Sequence, residues 1–369
     1  MKISHKKLLG LVTAFALAVP AVSVSALELG VFGDVSLTSS NDKEDSNHFA
    51  IGGLDLYGNE QISDNTSAFF EVVFENDGDS FVVDVERYQV NHKFSDALTL
   101  GAGRFHAPLG YWNRNFHHGV LIQDTPSRPA FLDFEDGEAA ILPMHSIGLM
   151  AMGKFNNGVS YELSVGNSNS YDTSAGFGTD EIRLGNVSDL SEDKSIIGRV
   201  SYAFSDVPLH LSAFAMRNQL VEDSTAGSAG VMQGGDLAKT NVYGADLRYE
   251  RGHFDALAEY YYIDNQDETS GVLGDGAVGD DGTANAFYVQ LGYRFKEMWK
   301  VVYRYEDLST DSDDTYFRVL GTEDYSAHVA VLRYDVDDSN ALMLQVINKD
   351  NDISKNVTEY TLNWSFLMF

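Results

Sequence analysis

The chain of 369 residues has no cysteine and few basic residues, and each shortage excludes a class of structure. Without cysteine there is no disulfide, no thiolate metal site and no haem attached through a C-x-x-C-H motif. Lysine and arginine total 25 against 55 aspartates and glutamates, so the basic patches that bind nucleic-acid phosphates are missing. After the N-terminus, no segment approaches the roughly 18 consecutive apolar residues that a membrane-spanning helix needs.

The N-terminus has the pattern of a secretory signal peptide. Three lysines precede an apolar run from Leu8 to Ala18, and the small residues at 24–26 fit the cleavage rule. We therefore expect residues 1–26 to be removed, which leaves residues 27–369 as the mature chain. The alternative, a membrane anchor, is disfavoured because the run is shorter than the roughly 20 residues of a bilayer span. Without the three lysines, 22 basic residues remain against 55 acidic ones, a net charge of −33.

From Leu27 onward the sequence repeats one unit, in which two alternating apolar and polar runs are joined by a short turn and followed by a longer loop. Runs of about ten such residues are typical of an outer-membrane β-barrel. We count sixteen of them, at approximately 28–39, 47–60, 66–77, 81–93, 97–106, 146–155, 158–169, 194–204, 207–217, 240–250, 252–264, 284–295, 298–308, 324–336, 338–349 and 355–368. The predicted fold is all-β, a 16-stranded antiparallel transmembrane β-barrel. A large soluble β-sandwich or solenoid is the alternative.

Within single runs the two faces differ in polarity. Val289, Leu291 and Tyr293 alternate with Gln290 and Arg294, for example. Because successive side chains of a strand point to opposite sides, one face of this run is apolar and the other is polar. No segment of the sequence is available to cover the polar face, which favours lipid outside and water inside.

The longest stretch without alternation lies at 101–145. It holds four of the six prolines, and its phenylalanines, tyrosines and tryptophan indicate a packed loop. A loop of this length inside a compact protein is usually functional or disordered. We predict that residues 107–144, called the 107–144 loop below, form a long third loop that folds into the pore and narrows it.

Two segments resemble known outer-membrane proteins. Residues 103–110, Gly-Arg-Phe-His-Ala-Pro-Leu-Gly, are similar to the strand-to-loop motif of the phosphate-selective porin O/P-like group. The amphipathic C-terminal run, which ends on Phe369, resembles the sorting signal of Gram-negative outer-membrane barrels. The resemblance to sixteen-stranded porins covers the mature chain and implies location in the cell outer membrane, a homotrimer, and diffusion of ions and small hydrophilic solutes. The lysine-rich ladder of a phosphate channel is absent.

Selectivity in such a pore depends on its narrowest point and on the charges that line it. The inward-facing wall candidates are Arg87, Arg199, Arg248, Arg294, Arg304 and Arg333. The candidates at the constriction are Arg104, Arg114, Arg128, Asp124, Asp133, Glu135, Asp136 and Glu138. We predict that the acidic run at 133–138 faces arginines across the lumen and gives a modest preference for cations. The alternatives are lumenal salt bridges for the arginines, with neighbours such as Glu71, Asp246 or Glu306, and an exposed turn for the acidic run.

Four histidines lie in or beside the loop, at positions 106, 117, 118 and 145. Imidazoles near carboxylates can bind a metal, and His117 and His118 are the candidates. A His-His pair without fixed spacing is more typical of loop packing, so we expect no metal and no cofactor. No nucleophile elbow or oriented triad is recognisable, and an enzyme is not expected.

The predicted outer loops at 264–281 and 306–324 are strongly acidic. They indicate either simple solvation or a vestibule that concentrates cations and contacts outer-membrane lipid and lipopolysaccharide through divalent ions. The predicted function is a passive, cation-leaning outer-membrane porin. The alternatives are a barrel that acts as a scaffold or receptor at the cell surface and an anion- or phosphate-type selective porin.

Overall fold

The computed structural model describes residues 27–41, 47–77, 80–116, 118–135, 140–172, 181–185, 187, 192–223, 236–268, 281–311 and 314–368. The predicted signal peptide lies outside the described residues. Four residues named in the predictions also lie outside them, and these are His117, Asp136, Glu138 and Phe369.

Within these described residues, nineteen strands form one sheet. They are β1 Glu28–Ser40, β2 His48–Ile51, β3 Leu54–Ser63, β4 Thr66–Asp77, β5 Ser80–Ser95, β6 Leu98–His106, β7 His145–Lys154, β8 Val159–Gly166, β9 Ser170–Asp172, β10 Glu181–Arg183, β11 Ser195–Ala203, β12 Leu209–Asp223, β13 Asp236–Arg251, β14 Phe254–Asp267, β15 Gly282–Lys296, β16 Trp299–Thr310, β17 Tyr325–Asp337, β18 Asn340–Asn351 and β19 Val357–Met368. Short helices lie in the loops: α1 Trp112–Asn115, α2 Thr315–Leu320, and 3₁₀ turns at Val120–Ile122 and Ala130–Leu132.

The sheet closes into a barrel of sixteen traverses. Strands β2 and β3 together form one traverse, interrupted at Gly52 and Gly53, and the three-residue strands β9 and β10 belong to the connection after β8. The first and last strands pair antiparallel from Val31↔Met368 to Ser40↔Glu359, which removes the open edges. The predicted 16-stranded antiparallel barrel is confirmed, and all sixteen predicted runs correspond to traverses.

The two faces of the wall have the predicted polarity. On β15, Val289 and Leu291 are 40% and 41% exposed, whereas the alternate side chains of Tyr288 and Gln290 are buried. An outward apolar band of this kind suits contact with lipid. No helix within the described parts of the chain is long and apolar enough to cross a membrane.

The connections contain structure that alternation does not predict. Strand β9 pairs antiparallel with β10 and parallel with the C-terminal end of β12. Helix α2 lies in the predicted loop between β16 and β17. Elements of three to six residues are too short to show a period of their own, so tertiary contacts decide them.

A β-bulge changes the direction of one acidic side chain. Glu71 on β4 pairs with Arg87 on β5, but the next residue, Val72, pairs with Val85, so Glu86 is the extra residue that the bulge inserts into the ladder. A bulge places two successive side chains on one face. Glu86 is therefore buried, whereas Val85 remains exposed on the outer wall.

Candidate pore and constriction loop

The 107–144 loop is anchored first by aromatic packing. Trp112 and Phe131 are fully buried. The Trp112 ring lies 5.7 Å from Tyr288 of β15, and the Phe131 ring lies 5.6 Å from Tyr261 of β14, both edge to face. Such contacts contribute about 0.5–1.5 kcal/mol each beyond the burial of area. The same core includes apolar side chains of the wall, namely Phe214, Met216, Val242 and Ile263.

A buried carboxylate on β14 holds the start of the loop. Glu259 accepts hydrogen bonds from the backbone N–H of Trp112 and the hydroxyl of Tyr261, both at 2.6 Å, and from the hydroxyl of Tyr288. The chain reaches Glu259 through Gly110, which has φ +69°. A Cβ at Gly110 would lie 1.9 Å from Glu259 Oε2, so only glycine allows this approach.

Arg304 of β16 binds the middle of the loop. Its guanidinium donates to Thr125 Oγ1 at 2.8 Å, to the carbonyl oxygens of Ser127 and Arg128 at 3.0 and 2.8 Å, and to Ser127 Oγ at 3.0 Å. The side chain is fully buried, and its charge is balanced by Glu306 at 3.4 Å. A planar guanidinium suits such multiple acceptors.

Two more basic side chains of the same wall also bind the loop. Arg333 of β17 donates to the carbonyl oxygen of Leu121 at 2.8 Å and to that of Gln123. Lys300 of β16 pairs with Asp124 of the loop at 2.8 Å and with Asp255 of β14 at 2.7 Å. In a ring of sixteen, β16 and β17 lie eight positions from β6 and β7, so these contacts join the loop to the opposite wall.

Neutral and acidic wall groups complete the attachment. Gln345 Oε1 of β18 accepts from the backbone N–H and hydroxyl of Ser127, at 3.2 and 2.9 Å. Glu306 accepts from the N–H of Ala130 at 2.7 Å, and the Tyr325 hydroxyl accepts from that of Phe131 at 3.0 Å.

The end of the loop is held near its own strands. Arg104 of β6 donates to the carbonyl oxygens of Glu86 and Gly185 at 2.8 and 3.0 Å, and it pairs with Glu135 at 3.2 Å. Glu135 also accepts from the N–H groups of Met144 and His145, at 3.0 and 2.6 Å. Burial acts to raise the pKa of Glu135, but His145 and Arg104 together hold it below its ordinary value.

The acidic run is only partly described. Asp133 accepts from the N–H of Phe134 at 2.9 Å, and Glu135 pairs with Arg104 of the adjoining strand. Arg304 and Arg333 reach the loop through backbone carbonyl oxygens, as described above. Asp136 and Glu138 lie outside the described residues, so their predicted role in the lumen stays a prediction.

Each of the six wall arginines forms a salt bridge with a carboxylate. The pairs are Arg87–Glu71, Arg199–Asp246 at 2.6 Å, Arg248–Glu250 at 2.5 Å, Arg294–Asp335 at 2.6 Å, Arg304–Glu306 at 3.4 Å and Arg333–Asp335 at 2.6 Å. Two loop arginines are also engaged. Arg114 bonds Glu162 of β8 at 2.7 Å, and Arg128 donates to the carbonyl of Leu132 at 2.7 Å.

Sequence reasoning did not identify several residues that hold the loop, above all Glu259, Lys300 and Gln345. Their inward direction follows from the alternation on β14, β16 and β18. The sequence does not show which loop residue each of them binds, because these partners are 147 to 218 residues away in the chain.

Comparisons with known proteins establish the fold of the chain. No protein-family model matches it, and a search of curated proteins finds no match. Solved structures do match. The anion-selective porin from Comamonas acidovorans is 13% identical, with 93% of this chain and 99% of that chain covered and a TM-score of 0.63. The outer membrane channel DcaP of Acinetobacter baumannii is 11% identical over 93% and 97%, with a TM-score of 0.65.

A third similar structure is OmpF of Salmonella typhi in complex with daunomycin. It is 12% identical over 93% of this chain and 97% of that chain, with a TM-score of 0.60. The chain therefore has the fold of the sixteen-stranded outer-membrane porins, as the sequence resemblance implied.

Proposed function

We propose that the protein is an outer-membrane channel for passive diffusion of ions and small hydrophilic solutes, in which the 107–144 loop lies in the lumen and sets its narrowest point. The observation that carries the proposal is the attachment of this loop to opposite walls. It bonds Arg304 and Arg333 on one side and Glu162 of β8 on the other, through Arg114. Contacts on both sides of a closed ring support a loop that crosses the lumen. The porin fold supports the same function.

We infer that the channel prefers cations modestly. Each of the six wall arginines is paired with a carboxylate, which reduces the positive charge that the wall presents to a permeating anion. The mature chain also carries a surplus of acidic residues. The name of the Comamonas neighbour favours the opposite candidate, an anion-selective pore. Reversal potential of the wild-type channel in a KCl gradient separates them. A reversal potential shifted toward the equilibrium potential of K⁺ supports the proposal. A shift toward the equilibrium potential of Cl⁻ would replace it with the anion-selective function.

The location follows from the outward apolar band of the wall. We expect the protein to stay in the membrane fraction after carbonate extraction and to migrate faster on gels when unheated than when boiled. A closed barrel keeps its compact shape in detergent until heat breaks the strand ladder, which explains the shift. A soluble protein with no heat-dependent migration would contradict this placement.

Several further points remain proposals. A cleaved signal peptide at 1–26, a homotrimer and contact of the acidic outer loops with lipopolysaccharide follow from the sequence pattern or from resemblance. Passive diffusion requires no catalytic residues. The function that competes with a channel is that of a receptor or scaffold at the cell surface. Solute flux through the purified protein distinguishes the channel from the receptor.

A further inference from the structure

We propose that Glu75, Glu86 and His118 form a binding site for one Zn²⁺ ion, which joins the 107–144 loop to the barrel wall. Glu75 lies on β4, Glu86 on β5 and His118 in the loop. One donor atom from each of the three side chains lies within 4.8 Å of the others. His118 Nε2 is 3.2 Å from Glu86 Oε1 and 3.6 Å from Glu75 Oε1.

The donor set and its spacing suit zinc. Zn²⁺ binds imidazole nitrogen and carboxylate oxygen at about 2.0–2.2 Å in tetrahedral sites. Two ligands at that distance from one ion are separated by about 3.4 Å in a tetrahedron, close to both distances from His118 Nε2. The imidazole disfavours Ca²⁺ and Mg²⁺, which prefer oxygen ligands alone. Three protein ligands leave the fourth position for water.

Glu86 is directed to this site by the β-bulge of strand β5. In an unbroken ladder, Glu86 would point outward between two inward residues. The bulge instead buries it beside Arg87. Its second oxygen, Oε2, lies 3.5 Å from His145 Nε2 and 3.8 Å from Arg104 Nη2, which orients Oε1 toward His118. Outer-shell contacts of this kind fix the orientation of a ligating carboxylate.

His118 is oriented by two independent contacts. Its ring stacks on Phe134, with centroids 4.6 Å apart and planes at 11°. The ring also lies beside Gly53, in the gap between β2 and β3, where a Cβ would lie 3.2 Å from His118 Nδ1 and 2.6 Å from Val73 Cγ2. A side chain at position 53 would therefore crowd the imidazole, which is 8% exposed. The side chain of Glu75 is 28% exposed, which makes it the most exposed of the three ligands, so the ion would enter the site past this residue.

The test is Zn²⁺ binding to the purified full-length protein in detergent, measured by calorimetry in excess Mg²⁺. The Mg²⁺ saturates acidic surface sites made of oxygen alone. We expect one Zn²⁺ per chain. Loss of an outer-shell partner alone costs about 10–100-fold in metal affinity, so His118→Gln should weaken binding by about 100-fold or more. Glu75→Gln and Glu86→Gln should also weaken it.

Two further variants separate a metal ligand from a packing residue. His118→Cys, which supplies a thiolate, should retain Zn²⁺. His253→Gln, which removes an exposed imidazole from a turn, should bind as the wild type does. Heat-dependent migration on gels checks that each variant is folded.

Failure of the wild type to bind Zn²⁺ in excess Mg²⁺ would overturn the site and leave His118 as an ion-pair partner of the two glutamates. Equal binding by wild type and His118→Gln would overturn it as well. Neither readout depends on transport, so the site can fail while the channel proposal stands.

Discussion

Replacing Arg304 with alanine should release the 107–144 loop and give a channel with higher and noisier conductance. The guanidinium donates to Thr125, Ser127 and Arg128, and its removal leaves Glu306 as a buried carboxylate without its cation. Breaking a buried pair by removing one partner costs about 3–5 kcal/mol. A loop that loses this much attachment should leave the lumen for part of the time. Single-channel recording detects the change as new current levels above the wild-type level.

The matched control is Arg294→Ala. It removes one arginine from the same wall, but the hydrogen bonds of Arg294 go to Glu297 and Asp335, near the short turns. We expect this variant to keep the wild-type current levels. If Arg304→Ala and Arg294→Ala give the same recordings, the loop does not control the width of the pore.

Neutralising the acidic run should lower the preference for cations. The variant replaces Asp133 and Asp136 with Asn, and Glu135 and Glu138 with Gln. A unit charge about 4 Å from an ion contributes about 1 kcal/mol even at the dielectric constant of water, and more in a narrow pore. One kcal/mol corresponds to a factor of about five. We therefore expect the cation-to-anion permeability ratio, taken from reversal potential, to fall by about fivefold or more.

A control with the same change in net charge tests whether position matters. Asp64, Asp206, Glu297 and Asp338 are exposed on short turns, and their neutralisation should leave the ratio unchanged. Because Glu135 also holds Arg104 and His145, a triple variant that keeps Glu135 separates charge from packing. Unchanged selectivity in both the quadruple and the triple variants would place the filter elsewhere.

The barrel could be predicted from the sequence because its signal is local. On β15, Tyr288 and Gln290 face inward and Val289 and Leu291 face outward, as the period of two requires. The bounds of β4, at Thr66–Asp77, coincide with the predicted run. Strand β12 extends to Asp223, six residues beyond its predicted end. That extension pairs with β9, a contact that alternation does not encode.

The loop contacts could be predicted only in part. Alternation predicts that Arg304 and Arg333 face inward, and their placement opposite the acidic run stays a prediction. In the structure both donate to backbone carbonyl oxygens of the loop. Carbonyl acceptors exist at every residue, so the sequence gives no sign of which of them a cation will select. The inward direction of Glu86 could not be predicted either, because a bulge depends on the register of two strands.

Single-channel conductance of the purified full-length protein in a planar lipid bilayer tests the central claim most directly. A pore narrowed by the 107–144 loop predicts discrete current steps that rise linearly with voltage in KCl. Deletion of residues 113–134, which carry the contacts to Arg304 and Arg333, should enlarge those steps. Insertion of folded, heat-modifiable protein without any current step would contradict the channel, and steps of unchanged size after the deletion would contradict the constriction.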